Sequence, residues 1–449
     1  MKRRIKYFKQ LFIINYSLFI LAGCSVQKQI SRSAQQVIND PSLATAHIGI
    51  SIFSPTENKY WYNYQGDKYF TPASNTKLAT CYAAMKYLGD SLVGILKSEN
   101  DTAIFFLPAA DPTLLHPDFK NQPVIDFFKN TNKKIYTTDS KWQSTALGSG
   151  WSWDDYDEDY MAERSPLPVY GNVLKWVQDH NNSKEPAVLY SDPEVDWKVD
   201  FNPVNAKSFS VKRNIGENMY WLTQGNEKYK ELEVPFVTHG IHSALELLPD
   251  TIHKTIGLLD AEKFQHLLNQ INLPLTPVKT QATDSLLKIT MHRSDNFFAE
   301  QSLLMVSNKL LGVMSDEKII DTLLKTDYKN LPQKPNWVDG SGLSRYDLFT
   351  PQDFVSILNK MKNEFGIERI KVILPTGNTG TLKNLYKPDS NYIFAKTGTL
   401  SGVVALSGYL YTKKNKLLIF SVLVNNHRSR AASVRIAVEK FIENIRNKY

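Results

Sequence analysis

The 449-residue chain has only two cysteines, Cys24 and Cys81. That excludes a disulfide-stapled fold and a Cys-rich metal site. It has no apolar run long enough to span a bilayer as a permanent helix; Leu11 to Leu21 comes closest, at about eleven residues. There is no Gly-x-Ser-x-Gly elbow and no His-Glu-x-x-His, and His239-Gly-Ile-His242 reads as a strand or turn pair rather than a metal site. Repeats and low-complexity tracts are also missing. What remains has the 42% hydrophobic and 22% charged content of an ordinary globular protein, in a chain long enough for two or more domains.

The N-terminus reads as an address. Lys2, Arg3, Arg4, Lys6 and Lys9 precede the apolar run, which ends in Leu21-Ala22-Gly23-Cys24. This resembles a bacterial lipoprotein signal, with residues 1–23 removed and Cys24 acylated, leaving residues 24–40 as a polar tether with at most a short helix. The implied location is the periplasm, held by a lipid anchor; Ser25 after the cysteine, rather than Asp, points by analogy to the outer membrane. The formal charge of +8 then falls to about +3, with 48 basic against 45 acidic residues, and gives no reason to expect a nucleic-acid partner. Cys81 is left without an intrachain partner and reads as a small buried group.

Positive signals begin with two strands, residues 46–53 (alternating HIGISIF) and 59–64 (KYWYNY). Pro72 then turns the chain, and Leu78, Cys81, Tyr82, Met85 and Leu88 mark a helix that begins near Ser74. Ser74 and Lys77 fall one turn apart on it, a nucleophile beside its base. Ser-x-x-Lys occurs four times, at Ser25, Ser74, Ser285 and Ser315, so the motif alone decides nothing. Residues 95–256 read as a mostly β insert, in one part or two. Helices follow over 260–271, 283–292 and 297–311, then strands over 392–396, 403–411 and 417–424. A closing helix over 429–448 has an expected apolar face of Ala432, Ile436, Val438, Phe441 and Ile445. This order predicts an α/β (α+β) protein with helices packed over one antiparallel sheet.

Two further groups single out Ser74. Ser294-Asp295-Asn296 lies in a turn between helices, where all three residues also make good N-caps. Lys396-Thr397-Gly398-Thr399 ends an apolar strand, where a lysine also guards a sheet edge. In this order the three sets resemble the active site of penicillin-binding proteins and serine β-lactamases. The 216 residues between Lys77 and Ser294 narrow the resemblance to the class C low-molecular-mass penicillin-binding proteins, peptidase family S13. The stretches Ala110-Asp-Pro-Thr-Leu114, Gly150-Trp-Ser-Trp-Asp-Asp155 and Asp339-Gly-Ser-Gly-Leu-Ser-Arg345 resemble the same group.

That resemblance implies a β-lactamase/transpeptidase-like fold: an antiparallel sheet with helices on both faces, a helical cluster and a large inserted domain. The catalytic domain is expected from 41–94 and 257–449, and the insert from 95–256. The implied activity is serine-type D-Ala-D-Ala carboxypeptidase, D,D-endopeptidase or both. Peptidoglycan peptides would be the substrates, β-lactams the inhibitors, and no metal or organic cofactor would be needed. Ser74 would be the nucleophile and Lys77 its base, with burial and a nearby Lys396 lowering the base's pKa. Ser294 would relay a proton to the leaving amine with the catalytic Lys396 close to it, Asn296 would position Lys77 and substrate, and the N–H groups of Ser74 and Thr399 would form the oxyanion hole. Lys396, Thr397, Gly398 and Thr399 would hold the substrate's terminal carboxylate. By position, Asp155, Arg345 and Tyr160 match a side pocket for the free end of diaminopimelate, though Asp154, Asp157 and Asp159 leave its register open. The rival readings are a β-lactamase or esterase of the same fold, and a catalytically silent wall-binding protein.

Overall fold

A computed structural model describes residues 28–180, 187–202, 204 and 206–449 of the chain. Residues 1–23 and Cys24 lie outside the described residues. The chain forms two compact units. One takes the chain up to Asn75, then Leu331–Asn336 and Leu348–Tyr449; the other takes Thr76–Asn330 and Trp337–Asp347.

The first unit is built on a five-stranded antiparallel sheet. Its order is Ile393–Leu400, Val403–Tyr411, Leu417–Asn425, His47–Ser54, Lys59–Tyr64. Side chains alternate across it, so Ile48, Ile50, Ile52, Leu406, Phe420 and Val422 share one face and one apolar core. The closing helix, Ala431–Lys448, covers this face with Val434, Val438, Phe441, Ile442 and Ile445. The apolar stripe runs through Ala431 and Val434 rather than Ala432, and Ile436 is 48% exposed on the outer side. A helix over residues 28–38 buries Ile30, Ala34 and Val37 in the same core. This corrects the expected tether over that stretch: each large aliphatic side chain so buried contributes roughly 1.5–3 kcal/mol, which holds the segment to the domain.

The opposite face of the sheet carries the helix Pro351–Phe365. Thr350 and Asp353 form its capping box and Pro351 sits at its first position. That start signal is legible in the sequence but is missing from the helices read above. Gly49 allows the approach, because a Cβ there would lie within 2.8 Å of Phe70 and Pro351 side-chain atoms.

The second unit combines a helical cluster with three small sheets. Helices Lys77–Tyr87, Thr283–Ile289, Asn296–Leu311 and Asp316–Lys325 form the cluster. Cys81 is buried within the first of them. One mixed five-stranded sheet has the order Ile256–Leu258, Lys134–Thr137, Ala103–Pro108, Ser91–Glu99, Thr276–Ala282. It therefore extends past both expected ends of the insert, 95 and 256. Helix Ala261–Ile271 joins it by packing Phe264 against Phe105. Two three-stranded sheets between residues 173 and 235, and helices Pro123–Lys129 and His242–Ile252, complete the region. His239 has φ +46° in the turn before the second of these helices, so the His239/His242 pair lies at a turn.

Candidate active site

In the first unit the site starts from the turn at Pro72. Ser74 sits in a 3-10 turn, Ala73–Thr76, that leads into the helix starting at Lys77, rather than on that helix's own first turn. Two side-chain clamps pin the turn to the sheet. Asn425 Oδ1 accepts from Thr71 N at 2.7 Å and its Nδ2 donates to Thr71 O at 3.0 Å. Asn75 Nδ2 donates to Ser407 Oγ at 2.7 Å, and Ser407 Oγ donates to Ser421 Oγ at 2.8 Å. Ala73, Asn75, Thr76 and Lys77 are buried, whereas Ser74 is only half-buried. The turn thus presents its serine and hides its neighbours.

The strand register explains the clamp. Ser51, Ser421, Ser407 and Lys396 pair in successive strands, so they form one polar row across an otherwise apolar sheet. Lys396 is fully buried at the end of this row, and its Nζ donates to Thr397 O at 2.7 Å. Gly398, two residues on and on the same face, lies against the serine turn. A Cβ there would stand 2.7 Å from Pro72 O and 3.1 Å from Ser74 N. Thr397 and Thr399 alternate to the other face. There the Thr399 hydroxyl accepts from Arg435 of the closing helix at 2.6 Å, an arginine that sequence reasoning missed. Ala395 N donates outward to Pro375 O at 3.0 Å, and the two-residue period aims the N–H groups of Thr397 and Thr399 off the same edge.

In the second unit the site is centred on Lys77, which is fully buried. Its Nζ donates to Asn296 Oδ1 at 2.6 Å and to Ser341 O at 2.7 Å. Burial drives its pKa down to about 8, against the opposing charges of Asp339, Glu300, Asp295 and Asp347. Helix Thr283–Ile289 runs into a π turn, Thr290–Ser294, before the next helix starts at Asn296. Capping was the structural alternative for all three residues of Ser294-Asp295-Asn296, and Asp295 is the N-cap, accepting from Phe298 N at 2.8 Å. Ser294 is held at φ +63°, a left-handed conformation that a serine seldom adopts. Asn296 keeps its amide for other work: besides accepting from Lys77, it donates to Tyr160 O at 2.9 Å.

Three buried acids near Lys77 were not read as site residues. Glu300 is pushed up to about 7 by burial and by Asp339, with Arg164 opposing. Asp347 is raised well above its ordinary value by burial and by the charge and hydrogen bond of Asp339. Asp339 accepts from Gly342 N at 2.7 Å, Ser344 N at 2.7 Å and Trp151 Nε1 at 2.8 Å. It thereby shapes the turn that offers Ser341 O to Lys77. Asp339 lay in a stretch singled out in the sequence, but that stretch was read for Arg345.

Local contacts distinguish among the residues expected to form a side pocket. Asp155 hydrogen-bonds to Tyr160, whose pKa is raised to about 12 by burial and by that carboxylate. Asp154 accepts from Ser152 Oγ at 2.6 Å and is exposed, and Asp157 pairs with Lys212 at 3.0 Å. Of these acids, Asp155 is the one tied to Tyr160. Arg345 is exposed, and its N donates to Gly150 O at 3.3 Å. The first unit thus offers a half-buried serine, and the second a buried amine of lowered basicity and a serine in a left-handed turn.

Known proteins resemble the chain in sequence and in fold. A D-alanyl-D-alanine carboxypeptidase of Actinomadura sp. is 23% identical over 90% of this chain and 82% of its own. Penicillin binding protein 4 of Haemophilus influenzae superposes with a TM-score of 0.70 at 19% identity, covering 93% of this chain and 98% of that one. A predatory endopeptidase of Bdellovibrio bacteriovorus superposes with a TM-score of 0.54 at 12% identity, over 90% and 94% of the two chains. With residues 30–445 matching its family profile, the chain belongs to the D-Ala-D-Ala carboxypeptidase 3 (S13) family.

Proposed function

We propose that the chain is a serine-type D-Ala-D-Ala carboxypeptidase of peptidoglycan stem peptides, with D,D-endopeptidase action on cross-links. The observation that carries the reading is Lys77: a fully buried amine, lowered to about 8 and aimed by Asn296 and Ser341, is built to take a proton. In the proposed reaction Lys77 accepts the Ser74 proton as Oγ bonds to the carbonyl carbon of the penultimate D-Ala. The N–H groups of Ser74 and Thr399 stabilise the oxyanion. The C–N bond then breaks, Ser294 relays a proton to the leaving amine, and D-alanine departs. Water hydrolyses the acyl-enzyme and regenerates Ser74. Lys396, with Thr397, Gly398 and Thr399, binds the terminal carboxylate, and the guanidinium of Arg435 adds to that charge. Asp155, Tyr160 and Arg345 receive the substrate's side chain. Residues 28–90 and 283–449 serve as the catalytic domain, and the insert, with its five-stranded sheet, runs from Ser91 to Ala282.

Incubation with an acylated L-Lys-D-Ala-D-Ala peptide is expected to release free D-alanine, and Ser74→Ala is expected to abolish release. A folded wild-type protein that releases none contradicts the reading.

The protein works outside the cytoplasm, where its substrate lies. No helix among the described residues is long and apolar enough to cross a membrane. We infer attachment through acylated Cys24 after removal of residues 1–23, in the periplasm and on the outer membrane. Cys24→Ala should move the protein from the membrane to the soluble fraction; an unchanged distribution would refute the anchor.

A further inference from the structure

We propose that Trp151 and Asp339 form a positioning bridge between the segment carrying Asp155 and Tyr160 and the base Lys77, so that this segment acts on the rate of acylation as well as on substrate affinity. The proposal rests on Lys77 being the base.

Three observations support it. First, Asp339 organises the turn that holds Lys77. Its carboxylate accepts from Gly342 N, Ser344 N and Trp151 Nε1, and the main chain it fixes offers Ser341 O to Lys77 Nζ and Gly340 O to Thr80 Oγ1, both at 2.7 Å. Trp337 Nε1 donates to Asp339 O at 2.6 Å and closes the same turn. Second, residues 148–151 dock on this turn through more than the indole. Arg345 N donates to Gly150 O, and a Cβ on Gly150 would come within 2.7 Å of Ser344 Oγ and Tyr346 Cδ2. Gly150 also has φ +77°, so the approach requires glycine twice over. Third, the far end of the same segment returns to Lys77 by another route. Tyr160 O accepts from Asn296 Nδ2, and Asn296 Oδ1 accepts from Lys77.

The links close a ring: Lys77, Asn296, Tyr160, the chain back to Trp151, Asp339, the turn to Ser341, and Lys77 again. A side chain bound at Asp155 and Tyr160 would press on both routes. The charges facing Lys77 are Asp339 and Asp347 from the 337–347 turn, and Asp295 and Glu300 from the start of helix Asn296–Leu311. Glu300 is paired with Arg164, which also meets Asp316 and lies 5.5 Å from the Trp151 ring. The N–H of Trp151 is therefore a donor that tempers the Asp339 charge, and removing it would make the ammonium of Lys77 harder to deprotonate.

The test compares Trp151→Phe, which removes the donor and keeps a ring, with Asp339→Asn and with Trp153→Phe, a control at a side chain 74% exposed. Fluorescent penicillin acylation is followed across pH, with thermal melting to confirm folding. Trp151→Phe is expected to acylate roughly tenfold more slowly, with its acid limb moved to higher pH. Asp339→Asn is expected to move the limb to lower pH, because a charge that favours the ammonium is gone. Trp153→Phe should match wild type. A folded Trp151→Phe with wild-type rate and limb overturns the proposal, as does a shift of both variants in the same direction. Wild-type protein that takes no label at all overturns instead the reading on which the proposal rests.

Discussion

Lys77→Met is expected to lower the acylation rate by roughly 10²–10⁴-fold and to erase its rise with pH. Methionine keeps the length of the stem and removes the only function the position requires. The sign of the pH effect follows from where the amine titrates. Burial holds Lys77 near 8, below the ordinary lysine range, so at neutral pH most molecules carry the ammonium, which cannot accept a proton. Below that value the neutral fraction grows about tenfold per pH unit, and above it the fraction levels off. Wild-type acylation should therefore climb toward about pH 8 and then flatten, measured as the second-order rate with a chromogenic or fluorescent penicillin. Lys77→Met should show a low, flat profile. It should also lose stability, because Asp339 would keep its buried charge without the ammonium that faces it; breaking such a buried pair costs roughly 3–5 kcal/mol. A variant that keeps the rising limb would show that some other group is the base.

Gly398→Ala is expected to cost roughly 10²-fold in acylation while leaving the sheet folded. The strand accepts alanine, so the effect arises from what stands opposite. The added Cβ would meet Pro72 O at 2.7 Å and Ser74 N at 3.1 Å, both main-chain atoms. They cannot swing aside as a side-chain end could, because Asn425 clamps Thr71 on one side and Ser407 clamps Asn75 on the other. Relief must come from displacing the nucleophile turn, and the N–H of Ser74 moves with it. Gly216→Ala, where a Cβ would meet nothing within 4 Å, is the matched control and should acylate as wild type does. Equal rates for Gly398→Ala and wild type would mean that the turn is not held as described.

The contrast between these two residues shows what a sequence can disclose. Ser74, Lys77, Ser294, Asn296 and Lys396 could be proposed from the sequence because each sits in a short motif whose order and spacing suit the chemistry. The strands from 47 to 64 and from 393 to 425 were legible because each is a short alternating, aromatic or apolar run bounded by turn residues. The setting of those residues was not. Ser51, Ser407 and Ser421 are isolated polar residues in apolar strands, and only the register reveals that they line up with Lys396. Glu300, Asp339 and Asp347 look like ordinary surface acids until the fold buries them around an amine. The helix over 28–38 was obscured because its three core contacts are spread through eleven mostly polar residues. Asp154, Asp155, Asp157 and Asp159 differ only in their partners, so composition could not choose among them.

The central claim is that Ser74 carries the acyl group. The most direct measurement is to react the mature protein with a penicillin, digest it, and locate the added mass by tandem mass spectrometry. The account predicts one adduct, on the Ser74 hydroxyl, lost in Ser74→Ala while Ser294→Ala still takes it up slowly. An adduct on any other residue, or none on a folded protein, would contradict it.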